Sequence, residues 1–195
     1  MRCSGRTIVR LAAPNDLCVS VMELKSNVSM VDTNDLDSNI RNMLLAAQDY
    51  VERAANCLLT PATVTEVWEA FPWNNKPMEL SIEPVRSLTS LTYIDTNGVT
   101  QTIVPQTLLT SARPRLFPPI NDYWPAVQPG NNVPITVVYT AGPANTKDAR
   151  PSLRAAVLTI ASQNFEFSSG WTKQGGLTIS PMAENLISAG MQRGL

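Results

Sequence analysis

The sequence predicts an α+β fold, in which a small helical bundle from the N- and C-terminal thirds carries an inserted antiparallel β subdomain. Two observations predict this arrangement. Apolar residues recur at three- and four-residue steps in the first and last thirds, which is typical of one face of a helix. In the middle third the apolar period changes to two, which is typical of half-buried strands. We therefore expect a single domain that is helical over residues 1–62, β over 63–142 and helical again over 143–195.

A short first helix is predicted at residues 22–25. Ser20 is a suitable N-cap, and Glu23, three residues later, completes the spacing of a capping box. In that motif each of the two side chains accepts a hydrogen bond from the other residue's backbone N–H. The spacing therefore predicts where this helix begins.

The longest predicted helix covers residues 35–57, and we expect Ile40, Leu44 and Val51 to be buried on its apolar stripe. Pro61 prevents the helix from continuing, because proline has no N–H to donate. The candidate N-caps are Asp32, Asn34 and Asp35. The other stripe residues are Leu36, Met43, Ala47, Tyr50, Ala54 and Leu58, and the expected solvated face carries Asn39, Arg41, Asn42, Gln48, Asp49, Glu52 and Arg53.

The middle third contains a predicted β-hairpin at Asn97-Gly98. Asn-Gly is a preferred type I′ turn sequence, because both central residues of that turn need positive φ. Apolar and polar residues also alternate over 78–83 and 135–140, which predicts two further strands. Prolines divide the rest of this region into short strands and an irregular loop at 113–132.

Helicity returns at Pro151, since proline is a suitable first residue of a helix. A polar, glycine-containing loop is expected at residues 168–176, and Pro181 then opens a last short helix. The apolar residues of the two predicted helices are Leu153, Val157, Ile160, Ala161 and Phe165, then Met182, Leu186, Ile187 and Met191.

Composition excludes several function classes. The 195 residues suffice for one domain with its own core, and 15 basic against 16 acidic side chains leave a net charge of −1. Nothing resembles the basic stripe of a nucleic-acid-binding protein. Three cysteines without a CxxC spacing predict neither a disulfide scaffold nor a zinc ribbon. With no secretory signal and no run of about 18 apolar residues, we expect a soluble intracellular chain without membrane contact.

Catalytic chemistry is restricted by the absence of histidine, which excludes Ser-His-Asp, Cys-His and HExxH sites. A glycosidase-like carboxylate pair is conceivable among Glu66, Glu69, Glu79 and Glu83. Their alternation with apolar residues places them instead on the outer face of a sheet. No phosphate-binding glycine motif occurs. We therefore predict no catalytic, cofactor-binding or metal-binding residues.

Aromatic residues are the other candidate feature. A platform that stacks single-stranded nucleic acid would need interleaved Lys and Arg, and here the basic residues are scattered among prolines. Packing in the core and at interfaces is the favoured interpretation. The aromatic residues in question are Trp68, Phe71, Trp73, Tyr93, Phe117, Tyr123 and Trp124.

The order of these features resembles the head–tail connector (adaptor) family of tailed bacteriophages. The resemblance covers about residues 11–195 and depends on colinear order, because no single piece is specific. Many members of the family carry Tyr-Glu-x-Arg at the end of the late helix. Here Phe165-Glu166-Phe167-Ser168 keeps the aromatic residue and the Glu but lacks the Arg. The matching pieces include Leu11 and Pro14, Val19-Ser20-Val21-Met22-Glu23-Leu24-Lys25, Leu44-Leu45-Ala46-Ala47-Gln48-Asp49-Tyr50, Trp68-Glu69-Ala70-Phe71-Pro72, Ile82-Glu83-Pro84-Val85-Arg86, Trp124-Pro125 and Tyr139-Thr140-Ala141-Gly142.

The resemblance implies a non-enzymatic structural role. Connector subunits form a ring, usually of twelve, under the portal protein at the capsid vertex. The ring extends the channel through which duplex DNA passes without sequence-specific binding, and it receives tail or stopper proteins. The expected location is the virion neck, with the host cytoplasm before assembly.

Two sets of contact residues are expected from this resemblance. Residues 180–195 are interpreted as a docking segment, mobile in the free protein and ordered on the portal, with Leu186, Ile187 and Met191 as its contacts. The alternative for this segment is a closing helix of the bundle. Phe117, Tyr123 and Trp124, in the proline-rich loop, are the expected lateral or tail-side contacts, and the alternative is an inert surface loop.

Three alternative functions are left open by the sequence. Another virion part, such as a tail-completion or decoration protein, would share the composition but not the helix–sheet–helix order. A carboxylate-dependent hydrolase acting on saccharides would need two carboxyl groups within about 10 Å in one pocket. A single-stranded nucleic-acid module would bind with a steep salt dependence.

Overall fold

The computed structural model describes residues 6–10, 16–28, 36–108, 114–120, 122–168 and 180–191. The chain divides into two compact units, one formed by residues 1–13 and 61–142 and the other by 14–60 and 143–195. The first, the β unit, contains two antiparallel sheets, and the second, the helical unit, contains the α-helices. The predicted α+β class is confirmed.

The helical unit begins as its sequence predicts. The Ser20 hydroxyl accepts a hydrogen bond from the Glu23 N–H at 3.2 Å, and the Glu23 carboxylate accepts one from the Ser20 N–H at 2.6 Å. The capping box is thus confirmed. The helices of this unit are α1 (Val21–Asn27), α2 (Asp37–Ala55), α3 (Pro151–Ser168) and α4 (Pro181–Met191).

Helix α2 supplies the centre of the helical core. Ile40, Leu44 and Val51 are fully buried, as predicted. The helix ends at Asn56, whose φ of 49° is left-handed, a conformation that asparagine tolerates. Leu36 occupies the N-cap without a side-chain hydrogen bond, and the candidate caps Asp32, Asn34 and Asp35 lie outside the described residues. Tyr50 and Leu36, both expected on the buried stripe, are exposed.

Two residues expected on the solvated face of α2 are buried instead. The Gln48 side-chain oxygen accepts a hydrogen bond from the Cys18 N–H at 3.0 Å, and its amide nitrogen donates to Glu52 at 3.3 Å. Glu52 accepts another from the Leu59 N–H at 2.9 Å. The chain before α1 and the chain after α2 both cover this face. Their backbone N–H groups would lack partners without these two side chains.

Helix α4 packs closely on α3. Ala183 and Ile187 are buried in the core of the helical unit. A Cβ atom built on Gly190 would lie 2.6 Å from Cγ of Leu153, so only glycine fits at this crossing. The Arg150 guanidinium donates to the Gly190 carbonyl at 2.5 Å, which satisfies one of the last carbonyls of α4.

The β unit contains a five-stranded sheet with strand order β1-β2-β8-β4-β5 and a three-stranded sheet with order β3-β7-β6. Ile135, Val137 and Tyr139 are fully buried on β8, which confirms the predicted alternation there. The strands are β1 (Arg6–Arg10), β2 (Ala62–Trp68), β3 (Met78–Glu79), β4 (Val85–Ile94), β5 (Thr100–Ile103), β6 (Gln106–Leu108), β7 (Arg115–Phe117) and β8 (Ile135–Ala141).

The hairpin between β4 and β5 lies where Asn97-Gly98 predicts it, but its turn differs from type I′. Gly98 has a φ of 80°, whereas Asn97 does not take positive φ. The Gly98 N–H donates to the Asp95 carbonyl at 2.9 Å, and the Asp95 carboxylate accepts from the Asn97 and Val99 N–H groups at 2.9 Å each. The aspartate side chain therefore organises the longer loop.

Two strands lie at positions where the sequence analysis expects none. Strand β1, in the first ten residues, pairs antiparallel with β2 over five residues. Strand β7 lies inside the expected irregular loop and pairs with both β3 and β6. Both strands are short, and the partners β2 of β1 and β3 of β7 are distant in sequence, so local patterning carries little signal for them.

Candidate interaction site

An aromatic groove lies in the β unit. The segment after β2 and the loop before β8 meet there. The rings of Phe71 and Trp124 stack with centroids 4.8 Å apart and an interplanar angle of 4°. Tyr93 on β4 meets Phe71 edge-on at 6.0 Å. These contacts join two segments of the chain that lie about fifty residues apart, and they anchor both to the sheet.

Hydrogen bonds hold the two sides of the groove together. The Trp124 backbone N–H donates to the Asn75 side chain at 3.2 Å, and its indole N–H donates to the Lys76 carbonyl at 3.0 Å. Asn74 and Asn75 have positive φ values of 57° and 53°. Asparagine is one of the few residues that tolerate this conformation, and the turn carries Trp73 on its outer side. The groove walls are therefore held by hydrogen bonds between distant segments and, at Trp73, by the conformation of the asparagine turn.

The groove encloses about 650 Å³ and is lined by residues 70–75 and 123–127. Trp73 is 84% exposed and Tyr123 is 76% exposed at its walls. Ile120, close by in sequence, is 72% exposed. Large apolar side chains exposed together mark interaction surfaces more often than single ones do.

The structure divides the lateral-contact residues expected from the sequence. Tyr123 and Trp124 line the groove. Phe117 lies on β7, is half-buried and does not line it. Trp73, which the sequence predicts only as one of the core or interface aromatic residues, is the most exposed aromatic side chain of the groove. The sequence signal that could have indicated its exposure is its position in a turn-forming segment after β2, between a proline and two asparagines.

The four candidate carboxylates do not form a common site on an outer sheet face. Glu66 is fully buried, and its carboxylate accepts hydrogen bonds from the Tyr139 hydroxyl at 2.5 Å and the Ser81 N–H at 2.8 Å. Glu83 is also buried, whereas Glu69 and Glu79 are exposed. The expectation was wrong for Glu66 and Glu83, since both are buried. Glu66 shares its side of β2 with the buried residues Val64 and Trp68.

The part of the chain that the structure describes offers little support for metal binding or for a reactive thiol. Glu79 forms an ion pair with Arg115 at 2.9 Å across the β3–β7 pair. No group of three or more acidic or cysteine side chains is placed to hold a metal ion within the described ranges. Burial raises the pKa of the Cys18 thiol to about 12, so it is not an activated nucleophile. None of the helices described is both long and apolar enough for a membrane span.

The candidate portal-docking residues lie on α4. Ile187 is buried in the helical core, Leu186 is half-buried against it, and Met191 is 40% exposed. In this arrangement α4 has the packing of a closing helix, the alternative that the sequence left open. Met191 is the most accessible of the three to a partner.

Comparisons with known proteins identify the fold of the chain. No protein-family model matches the chain, and no curated protein matches it. Solved structures with the same fold come from gene transfer agent (GTA) particles. At the sequence identities found, this likeness establishes the fold, and it agrees with the fold implied by the resemblance to head–tail connectors.

Three of these structures illustrate the likeness. A chain in the neck of an empty GTA particle, computed with C6 symmetry, has a TM-score of 0.76 and 21% identity, covering 94% of both chains. A chain in the virion of a native GTA particle has a TM-score of 0.75 and 22% identity over 93% of both chains. A chain in the neck of a native GTA particle, computed with C12 symmetry, has a TM-score of 0.65 and 21% identity over 94% of both.

Proposed function

We propose that this chain is a structural head–tail connector (adaptor) subunit of a tailed virion. It forms a ring under the portal protein, extends the DNA channel and receives tail or stopper proteins. The observation that carries the proposal is the likeness in fold to GTA neck chains, which covers 94% of this chain and 94% of each of those chains. A match over nearly the whole length means that the helical unit and the β unit occur together in both proteins.

A ring of copies is supported by the symmetry of the particles that contain the similar chains. Those necks were computed with C6 and C12 symmetry, so we infer a homo-oligomeric ring, with twelve subunits as the specific expectation. Cyclic symmetry requires two different faces on each subunit, one for each neighbour. The near-zero net charge of −1 suits a lumen through which duplex DNA slides without being held.

The proposed role is non-enzymatic. The groove is lined by aromatic, aliphatic, proline and asparagine residues, and its lining contains no ionisable acid, base or thiol apart from the phenol of Tyr123. The buried Glu66 carboxylate accepts hydrogen bonds from the Tyr139 hydroxyl and the Ser81 N–H. A carboxylate pair for glycoside hydrolysis must instead face a substrate cleft. The groove is therefore better suited to protein contacts than to acid–base chemistry.

Reconstitution with capsids tests the proposal. The purified chain is mixed with portal-containing, tailless heads, and the heads are separated by sedimentation and imaged by cryo-electron microscopy. We expect a ring of this chain at the portal vertex and restored joining of tails. Heads assembled without portal are the matched control and should bind none. Absence of the chain from portal-containing heads at saturating concentration would contradict the proposal.

A further inference from the structure

Two further exposed apolar side chains lie in the β unit, outside the lining of the aromatic groove. Val104, which follows the last residue of β5, is 85% exposed, and Leu108 at the end of β6 is 44% exposed. Strand β5 is an edge strand of the five-stranded sheet, and β6 is an edge strand of the three-stranded sheet. The connection from Val104 to Leu108, here called the Val104 turn, therefore joins the free edges of two sheets.

We propose that the aromatic groove of one subunit receives the Val104 turn of a second copy of this chain. This inference rests on the proposed ring and names the lateral contact within it. A ring closed by rotation brings two different patches of identical subunits together. One patch is a groove, and the other is an exposed connection at the edges of two sheets. Neither covers the other within one chain, because Trp73 and Val104 are 84% and 85% exposed.

The charge pattern of the two patches agrees with this pairing. The Val104 turn and the strand before it, residues 99–108, contain no charged residue. The residues that line the groove, 70–75 and 123–127, contain none either. The centres of protein interfaces are depleted of charge, since an ion taken out of water without a partner costs several kcal/mol. The pairing removes no charged side chain of these segments from water.

The size of the apolar surface indicates a repeated contact and not a stable dimer. Trp73 and Tyr123, which are 84% and 76% exposed, together present roughly 250–400 Å² if each offers the area usual for an aromatic side chain. A standard interface buries about 800 Å² on each partner. These two side chains supply at most about half of that area. In a closed ring every subunit is held on two sides, so contacts of this size become sufficient through their number.

Disulfide trapping tests the pairing. In a Cys3→Ser background, Trp73→Cys and Val104→Cys are combined in one chain, assembled on portal-containing heads and oxidised. We expect a ladder of cross-linked oligomers. The matched control, Trp73→Cys with Val99→Cys, places its second cysteine at a half-exposed valine of the β4–β5 hairpin, outside the turn. It should give at least tenfold less cross-linking.

A second test of the pairing uses charge substitutions in place of engineered cysteines. Val104→Asp should reduce ring assembly on the heads at least tenfold, and Val99→Asp should leave it unchanged. Circular dichroism identifies any variant that fails to fold.

Rings that form on the heads without the Trp73–Val104 ladder would overturn this inference and leave the proposed function intact. A ring that forms normally with Trp73→Ala but no longer binds tail or stopper protein would assign the groove to that partner. Wild-type chain that never joins the heads would overturn both proposals.

Discussion

The phenol of Tyr139 on β8 donates a 2.5 Å hydrogen bond to the carboxylate of Glu66 on β2, and both side chains are fully buried. The two residues are diagonal neighbours, because Glu66 pairs with Val137 and Tyr139 pairs with Val64 in the ladder. The same carboxylate accepts from the Ser81 N–H, and the Tyr139 oxygen accepts from the Ile82 N–H at 3.3 Å. One buried acid therefore joins two strands to the chain that follows β3.

Replacing Tyr139 with Phe should destabilise the protein by about 1–3 kcal/mol, because the buried Glu66 carboxylate loses a donor that water does not replace. Urea unfolding measures the change. Tyr50→Phe, which alters an exposed phenol on α2, should change the free energy of unfolding by less than about 0.5 kcal/mol. A Tyr139→Phe effect as small as that of Tyr50→Phe would contradict the role assigned to this hydrogen bond.

Gly190→Ala should lower the thermal midpoint, because the added methyl group would meet Cγ of Leu153 at 2.6 Å and Oγ of Ser152 at 3.0 Å. Overpacking of this kind costs about 1–3 kcal/mol. Calorimetry of Ser188→Ala, an exposed change on the same helix, provides the control and should show no loss. Combining Gly190→Ala with Leu153→Ala separates the clash from the helix itself. The added cost of Gly190→Ala in that background should be smaller.

Met191→Asp should weaken joining to portal-containing heads at least tenfold while changing the free energy of unfolding by less than about 0.5 kcal/mol. Met191 is exposed at the end of α4, so a charge there disturbs a partner surface and not the core. Met182→Asp, at the other end of the same helix and 64% exposed, is the matched control and should join normally. Normal joining by Met191→Asp would exclude this residue from the portal contact.

Glu23 makes the stability of α1 dependent on pH. The Ser20 backbone N–H, followed by the Ser20 hydroxyl and Arg154, favours the carboxylate and holds the pKa of Glu23 below its usual range. A lowered folded-state pKa adds stability above the unfolded-state pKa, and this stability is lost as the pH falls through the folded-state value. Glu23→Gln should therefore lower the thermal midpoint by about 1–3 °C at pH 7.

That difference should shrink as the pH falls through the lowered folded-state pKa of Glu23, because the carboxyl is then protonated in both the folded and the unfolded protein. A Glu23→Gln difference that stays constant across the whole acid range in which the protein remains folded would attribute the effect to packing and not to charge.

The buried thiols should resist modification. Burial, with a further contribution from Glu52, raises the pKa of Cys18 to about 12, and Cys57 is also buried. In a Cys3→Ser variant we expect no reaction with Ellman's reagent at pH 8 in the folded state and two equivalents after unfolding in urea. Rapid reaction of one equivalent in the folded protein would mean that the chain around Cys18 opens readily.

The sequence by itself determined the features that depend on neighbouring residues. The Ser20–Glu23 capping box, the buried stripe of α2 and the helix starts at Pro151 and Pro181 all follow from spacing within a few residues. The position of the β4–β5 hairpin followed from Asn97-Gly98 for the same reason.

Tertiary structure decided the features that depend on distant partners. A period of two separates the faces of β2 but does not say which face is covered, so the burial of Glu66 was decided by the strands and loops around it. Gln48 is polar in sequence, yet it is buried because the Cys18 N–H needs an acceptor there. The aromatic groove exists because Phe71 stacks on Trp124, a contact between segments that local propensity cannot relate. Such contacts form only when the burial of apolar surface outweighs the entropy of closing a long loop, which is a property of the whole chain.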